Sequence, residues 1–232
     1  MPSSTLRVAS YNVRGLKDDA RTAAAVVRAI DPDVLLLQEA PRWPGSSYAI
    51  TAFARDCGLL SSGRNVLLSQ TTLLTSIRVD ATDNLERRLR VGLRETPRNY
   101  TLAHVRKAGG LRAGVVSVHL SLKGDERVRH IRTVLEQLAD DPAVPDDRPL
   151  IIGGDINEGR DGNAWGVLAE HLVEVTDDRP TFPARSPHVR IDAIFARGHS
   201  SVTPADHSVL DGLDLAAASD HLPVWVDLHY DL

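Results

Sequence analysis

Apolar and polar positions alternate along the chain in two distinct rhythms. Leu6-Arg-Val-Ala-Ser-Tyr11 repeats at period two and predicts a strand. Asp18 and Asp19 then open a predicted helix with Ala20, Ala23, Val27 and Ile30 on one face, ended by Asp31-Pro32. Val34-Leu-Leu-Leu37 is a continuous apolar run, the signature of a strand covered on both faces. Val66 to Leu68, Leu73 to Val79 and Tyr100 to Val105 predict further strands, as does the β-branched run Val115-Val-Ser-Val118. Residues 125–139 predict a helix: Val128, Ile131, Leu135 and Leu138 fall at helical spacing, with Asp125 and Glu126 in the first turn. Pro149 to Ile152, Ile191 to Phe195 and Val224 to Leu228 predict the remaining strands. Strands outnumber helices and both recur throughout. The pattern predicts a mixed α/β layer architecture with residues 1–232 as one domain.

Polar residues gather at the strand ends. The first strand ends in Asn12, and Val34 to Leu37 runs into Gln38-Glu39. Val115 to Val118 ends in His119, and Leu150 to Ile152 passes through Gly153-Gly154 to Asp155-Ile-Asn157. Asp192 lies inside a strand, and Ser219-Asp220-His221 stands just before Pro223-Val-Trp-Val226. Each alone has a plain reading as a solvated terminus or a turn. Asp192 is harder to dismiss, because a strand Asp is disfavoured and a buried one needs a partner. Together they place ionisable groups at one sheet rim, where loops converge to form a cleft.

Composition narrows the chemistry. Cys57 is the single cysteine in 232 residues, so neither an intrachain disulfide nor a cysteine-rich zinc site is expected. Oxygen ligands with two imidazoles suit Mg²⁺ or Mn²⁺ better. The net charge of −4 argues against binding nucleic acid through a general positive field. No uncharged apolar stretch approaches the ~18–20 residues of a membrane span, and Met1 to Arg7 contain no apolar leader core, so a cytoplasmic monomer without membrane contact is expected. Asp155 to Arg160 begins like a calcium loop, but Arg160 stands where that loop needs Gly. P-loop and Gly-x-Ser-x-Gly patterns are absent.

Six segments, Ser10-Tyr-Asn-Val-Arg-Gly15, Leu37-Gln-Glu39, Val118-His-Leu120, Gly154-Asp-Ile-Asn157, Arg190-Ile-Asp-Ala-Ile194 and Ser219-Asp-His221, occur in an order that resembles the endonuclease/exonuclease/phosphatase superfamily. The resemblance implies a four-layer α/β sandwich of two mainly antiparallel sheets with helices outside. It implies a metal site at Asn12, Glu39 and Asp220. It also implies a catalytic set of His119, Asp155, Asn157, Asp192 and His221, in which Asp192 orients His221 and His119 contacts phosphate. The proton acceptor is left as Asp155 or His221. Arg14 and Arg64 are candidate phosphate contacts.

The implied activity is Mg²⁺- or Mn²⁺-dependent hydrolysis of a phosphate ester, read first as a phosphodiesterase or nuclease acting on DNA or RNA. A phosphatase of a small phosphorylated metabolite is the second reading. A non-catalytic binding module is the third, weakened because the motif residues all remain. The segment Glu86 to Arg112 holds seven arginines and Lys107 against two glutamates. It reads either as a track for a polyanion or as charge on edge strands that blocks aggregation. Trp43, Trp165 and Trp225 are expected to pack, with the cleft mouth as the alternative for Trp43, which follows Glu39 in a Pro-rich loop.

Overall fold

In the computed structural model the strand alternation resolves into four layers. Residues 3–42, 45–61, 69–92 and 96–231 are described. The chain runs β1 (Ser3–Asn12), α1 (Ala20–Ile30), β2 (Val34–Gln38), α2 (Ser46–Cys57), β3 (Leu60–Ser61), β4 (Thr71–Thr75), β5 (Val79–Leu89), β6 (Arg98–Lys107) and β7 (Arg112–His119). It continues through α3 (Gly124–Ala139), β8 (Leu150–Asp155), α4 (Asn163–Ala169), β9 (Val173–Glu174), β10 (Asp192–Arg197), β11 (Ser201–Pro204), α5 (Leu215–Ala218) and β12 (Val224–Asp231). One six-stranded sheet has the order β11-β12-β1-β2-β4-β3, the other β5-β6-β7-β8-β10-β9. Antiparallel pairs dominate; β1 with β2 and β7 with β8 are parallel.

Successive side chains of a strand point to opposite faces, and here each face has its own core. In β2, Val34 and Leu36 face the other sheet, while Leu35 and Leu37 face α1 and α2. In β10, Ile194 and Ala196 face inward, while Ala193 and Phe195 pack under α3 and α4. This is the physical reason for the unbroken apolar run at Val34: both neighbours are dry. The order is helices, sheet, sheet, helices, the four-layer sandwich that the family resemblance implies. Trp165 and Trp225 are buried in the two outer cores, as expected.

Local chemistry sets the element ends. Asp19 caps α1 by accepting from the Arg21 and Thr22 amides, and the left-handed Asp31 stops it. The Leu73 to Val79 run is not one strand: the chain turns after Thr75, where the Ser76 hydroxyl accepts from the Arg78 amide and the Val79 amide bonds the Ser76 carbonyl. Gly153 and Gly154 lie inside β8 rather than in a turn. A Cβ on Gly153 would stand 2.7 Å from Leu36 Cδ1, and one on Gly154 would stand 1.9 Å from the Val118 carbonyl oxygen. Gly153 lets the two sheets close together, and Gly154 lets β8 lie tight against β7, just before Asp155. The predicted strand at Val66 to Leu68 and the positions of Trp43 and Arg64 lie outside the described residues. No helix among the described residues is long and apolar enough to cross a membrane.

Candidate active site

Register brings the polar strand ends together. Asn12 ends β1 opposite Gln38 of the parallel β2, so Glu39 emerges beside it. His119 ends β7 opposite Asp155 of the parallel β8, and Asp155 in turn pairs with Asp192 at the start of the antiparallel β10. His221 precedes β12, whose Val224 pairs with Ser10. Both sheets therefore deliver side chains to one rim. Three loop positions there hold non-glycine residues at positive φ: Arg14 (48°), Glu39 (50°) and Asn157 (58°). Such backbone is sparsely populated and persists where its surroundings enforce it. At Glu39 they do so through the Gly15 amide, which bonds its carbonyl, and the Ala40 amide, which bonds Gln70.

Asn12 joins the two sheets. Its Nδ2 donates to Asp155 Oδ2 at 3.0 Å and Glu39 Oε1 at 3.2 Å, and lies 3.5 Å from His221 Nε2. Its Oδ1 accepts from the Arg14 amide. Asp155 Oδ1 accepts from the Asn157 amide, and Asn157 Nδ2 donates to the Leu120 carbonyl. His221 Nδ1 donates to Asp192 Oδ2 at 2.9 Å, and the Thr181 hydroxyl donates to the same oxygen at 2.6 Å. The Phe182 ring lies against the His221 imidazole, with centroids 4.9 Å apart.

Burial and charge act against each other in this cluster. Burial alone would lower the His221 pKa. The charge and hydrogen bond of Asp192, with Asp155 and Asp220 beyond, raise it to about 9. Burial and the Asp192 charge push the Asp155 carboxyl up to about 7, against the pull of His221, Asn12 and the Asn157 amide. His119 is driven well below the ordinary histidine value by burial, then by Arg98, His221 and Arg42. Its Nε2 lies 2.7 Å from Arg98 Nη1 and 3.4 Å from Asp155 Oδ2.

The structure thus gathers Asn12, Glu39, His119, Asp155, Asp192 and His221, with Asn157 bonded to Asp155. Asp220 pairs with Arg14 (3.2 Å), and Arg14 also contacts Asp18 (3.3 Å), so this guanidinium is already engaged by carboxylates. Sequence reasoning missed Thr181, Phe182, Gln70 and the distinct place of Arg98. Arg98 was one cation among many in the basic segment, and the others went elsewhere: Arg106 pairs with Asp80, Lys107 with Asp33, and Arg88, Arg90 and Arg112 are exposed.

The donor chemistry fits a hard divalent cation. Asp155, Asp192 and His221 are buried, and their ligand atoms lie within 4.8 Å of one another. Glu39 adds a carboxylate beside Asn12. The only thiol, Cys57, is buried in the outer core with α1 and α2. Oxygen-rich sets without sulfur suit Mg²⁺ or Mn²⁺.

Comparisons with known proteins bear on the family and the fold. The model of the Endonuclease/Exonuclease/phosphatase family matches residues 9–221. Uncharacterized protein YbhP of Escherichia coli (strain K12) is 27% identical over 127 residues, covering 50% of this chain and 46% of that protein. The match therefore spans about half the length of these curated relatives. A solved endonuclease/exonuclease/phosphatase family protein from Bacteroides thetaiotaomicron superposes with a TM-score of 0.78 at 17% identity, covering 100% of both chains. The mannosyl-6-phosphatase of Bacteroides thetaiotaomicron VPI-5482 superposes with a TM-score of 0.74 at 17% identity, over 96% of this chain and 99% of that one. At such identities the two superpositions establish the shared fold.

Proposed function

The chain belongs to the endonuclease/exonuclease/phosphatase family, and from that premise we propose that it is a divalent-metal-dependent phosphodiesterase acting on nucleic acid. Members of this family hydrolyse phosphate esters, and the observation that carries the reading is the meeting of Asn12, Glu39, Asp155 and His221 at one rim. We treat residues 1–232 as one catalytic domain because both sheets supply the site.

The proton chemistry follows from the two raised pKa values. His221 keeps its proton at neutral pH and presents a cation to the phosphoryl oxygens. Asp155, near 7, is the group able to accept the proton of the attacking water. His221 then gives its proton to the departing oxygen. Asp155 Oδ2 and His221 Nε2 are 3.8 Å apart, which lets the proton return once product leaves. Asp192 fixes the imidazole with Nδ1 protonated. Glu39 and Asn12 would hold the Mg²⁺ or Mn²⁺, with Asp220 kept apart by its pairing to Arg14, and the ion would withdraw charge from the phosphate.

A polymer is favoured as substrate by the exposed Arg88 and Arg90. Arg88 pairs in register with Asn99 of β6, next to the buried Arg98. These exposed cations stand at the end of the edge strand whose Leu89 pairs with Arg98, where a polyanion could track. The test incubates the protein with plasmid, single-stranded DNA, RNA and a panel of phosphomonoesters, with Mg²⁺, Mn²⁺ or EDTA. Cleavage of a polymer, abolished by EDTA, is expected. Inorganic phosphate released while polymers stay intact would replace this reading with a small-metabolite phosphatase. Activity indifferent to EDTA would contradict both.

A further inference from the structure

Arg98 opens β6 and is only 9% exposed. Its Nη1 lies 2.8 Å from Gln70 Oε1 and 2.7 Å from His119 Nε2. A guanidinium has donors and no acceptor, so Nη1 donates in both contacts. His119 Nε2 is therefore the bare, accepting nitrogen, and the ring proton sits on Nδ1. That Nδ1 is buried with no hydrogen-bond partner among the described residues. One ring nitrogen is taken and the other enclosed, so neither is placed to exchange a proton with substrate.

Arg98 is placed differently. Among the described residues its hydrogen bonds come from Nη1, leaving Nε and Nη2 to other acceptors. Burial lowers its pKa, and the Asp155 and Glu39 carboxylates, which flank the reacting centre, oppose that. The scaffold behind it is built. The Gln70 amide donates to Asn99 Oδ1 at 2.8 Å, and Asn99 Nδ2 donates to the Ser69 hydroxyl at 2.8 Å and the Thr71 hydroxyl at 3.0 Å. A buried guanidinium held at one nitrogen by two neutral acceptors is a pre-aimed anion-binding group.

We infer that His119 is a positioning residue whose Nε2 aims Arg98, and that Arg98 is the side chain that meets the substrate's phosphoryl oxygens. The inference rests on the phosphate-ester reading above. It changes what His119 does: the ring supplies an acceptor, not a proton. An amide oxygen can replace that acceptor and a hydrocarbon cannot.

The test uses five variants and one spectroscopic measurement. On bis-p-nitrophenyl phosphate, Arg98→Met and His119→Leu are expected to raise KM about 10- to 100-fold, the scale of a lost charge-assisted hydrogen bond. His119→Gln, whose Oε1 reaches the place of Nε2, should stay within about threefold of the wild type, far less than the 10²–10⁴-fold loss of a proton-transferring group. Arg98→Lys, which keeps the charge and fits the site with less disturbance, should recover part of the Arg98→Met loss. The Arg98→Met/His119→Leu double variant should be no worse than either single one. Nitrogen-15 NMR of the metal-free protein should show His119 protonated at Nδ1. A loss in His119→Gln equal to that in His119→Leu, or a kcat collapse with unchanged KM in either, overturns the inference. So does an Nε2–H signal, whatever the substrate proves to be. A wild type inactive on every phosphate ester overturns the hydrolase reading instead.

Discussion

His221 Nδ1 lies 2.9 Å from Asp192 Oδ2, and both side chains are buried. The pair fixes one tautomer and leaves Nε2 facing Asn12 and Asp155. Removing the imidazole takes away the group assigned to the departing oxygen while the strands beneath it stay intact. His221→Ala is expected to lose about 10²–10⁴-fold in the rate of bis-p-nitrophenyl phosphate hydrolysis. Its melting temperature should stay within a few degrees of the wild type. Undiminished hydrolysis would remove His221 from the site.

Thr181 holds the other side of that carboxylate. Its hydroxyl donates to Asp192 Oδ2 at 2.6 Å, its carbonyl accepts from the Leu222 amide, and the Ala184 amide bonds the Asp220 carbonyl. The 181–184 arm is thereby stitched to the 220–222 segment. Thr181→Val keeps the shape and deletes the donor. We expect kcat to fall about tenfold with KM little changed, because a hydrogen bond to a charged group worth about 1.5 kcal/mol is lost where Asp192 must be held. Steady-state kinetics on the same substrate decide it, and an equal change in KM alone would point to substrate binding instead.

The raised His221 value has a definite sign. A histidine raised from about 6.5 to about 9 adds stability that is fully present below about 6.5 and is lost as pH climbs through 9. With Asp192→Asn the largest of the contributions that together outweigh burial is gone, so the His221 titration should fall by more than a pH unit. Carbon-13-edited NMR titration of the metal-free protein measures this directly. An unmoved His221 would mean that Asp192 does not control it.

Much of this site could be read from the chain because strand ends are local. Asn12, Glu39, His119 and Asp155 each follow an apolar run that the period-two rhythm makes visible, and register carries them to one rim. The layering was only half legible. Val34 to Leu37 announces a strand buried on both sides, but not which residues face helix and which face sheet. Thr181 and Arg98 were unreadable for a different reason. Their partners, Asp192 and His119, are 11 and 21 residues away and depend on how an arm and a neighbouring strand pack. The helix Ser46–Cys57 carries no capping side chain and begins after a left-handed Gly45, so its start has no sequence signal. The metal set was only partly gathered, since Asp220 faces Arg14.

Asp33 offers a test of stability that leaves the chemistry alone. It stands before β2, at the opposite end of that strand from Glu39. Its carboxylate accepts from the Arg7 amide at 2.9 Å, Arg78 Nε at 2.7 Å and Lys107 Nζ, tying β1, the β4–β5 turn and β6 together across the sheets. Burial would raise its pKa, but the Lys107 and Arg78 bonds and the Arg7 amide hold it below the ordinary aspartate value. A depressed carboxyl adds stability that is present above the unfolded value near 3.9 and is lost as pH falls through the folded one. Asp33→Asn leaves two cations facing a neutral amide, so a loss of about 3 kcal/mol at pH 7 is expected, within the range for breaking a buried pair. That corresponds to a drop of roughly 10 °C in melting temperature for a chain of this size. The gap between variant and wild type should narrow progressively as pH falls below about 4, while kcat at 25 °C stays unchanged. Urea unfolding across pH 3–7 measures it, and a gap that does not narrow between pH 5 and pH 3 would show that packing, not charge, holds this end of the sandwich.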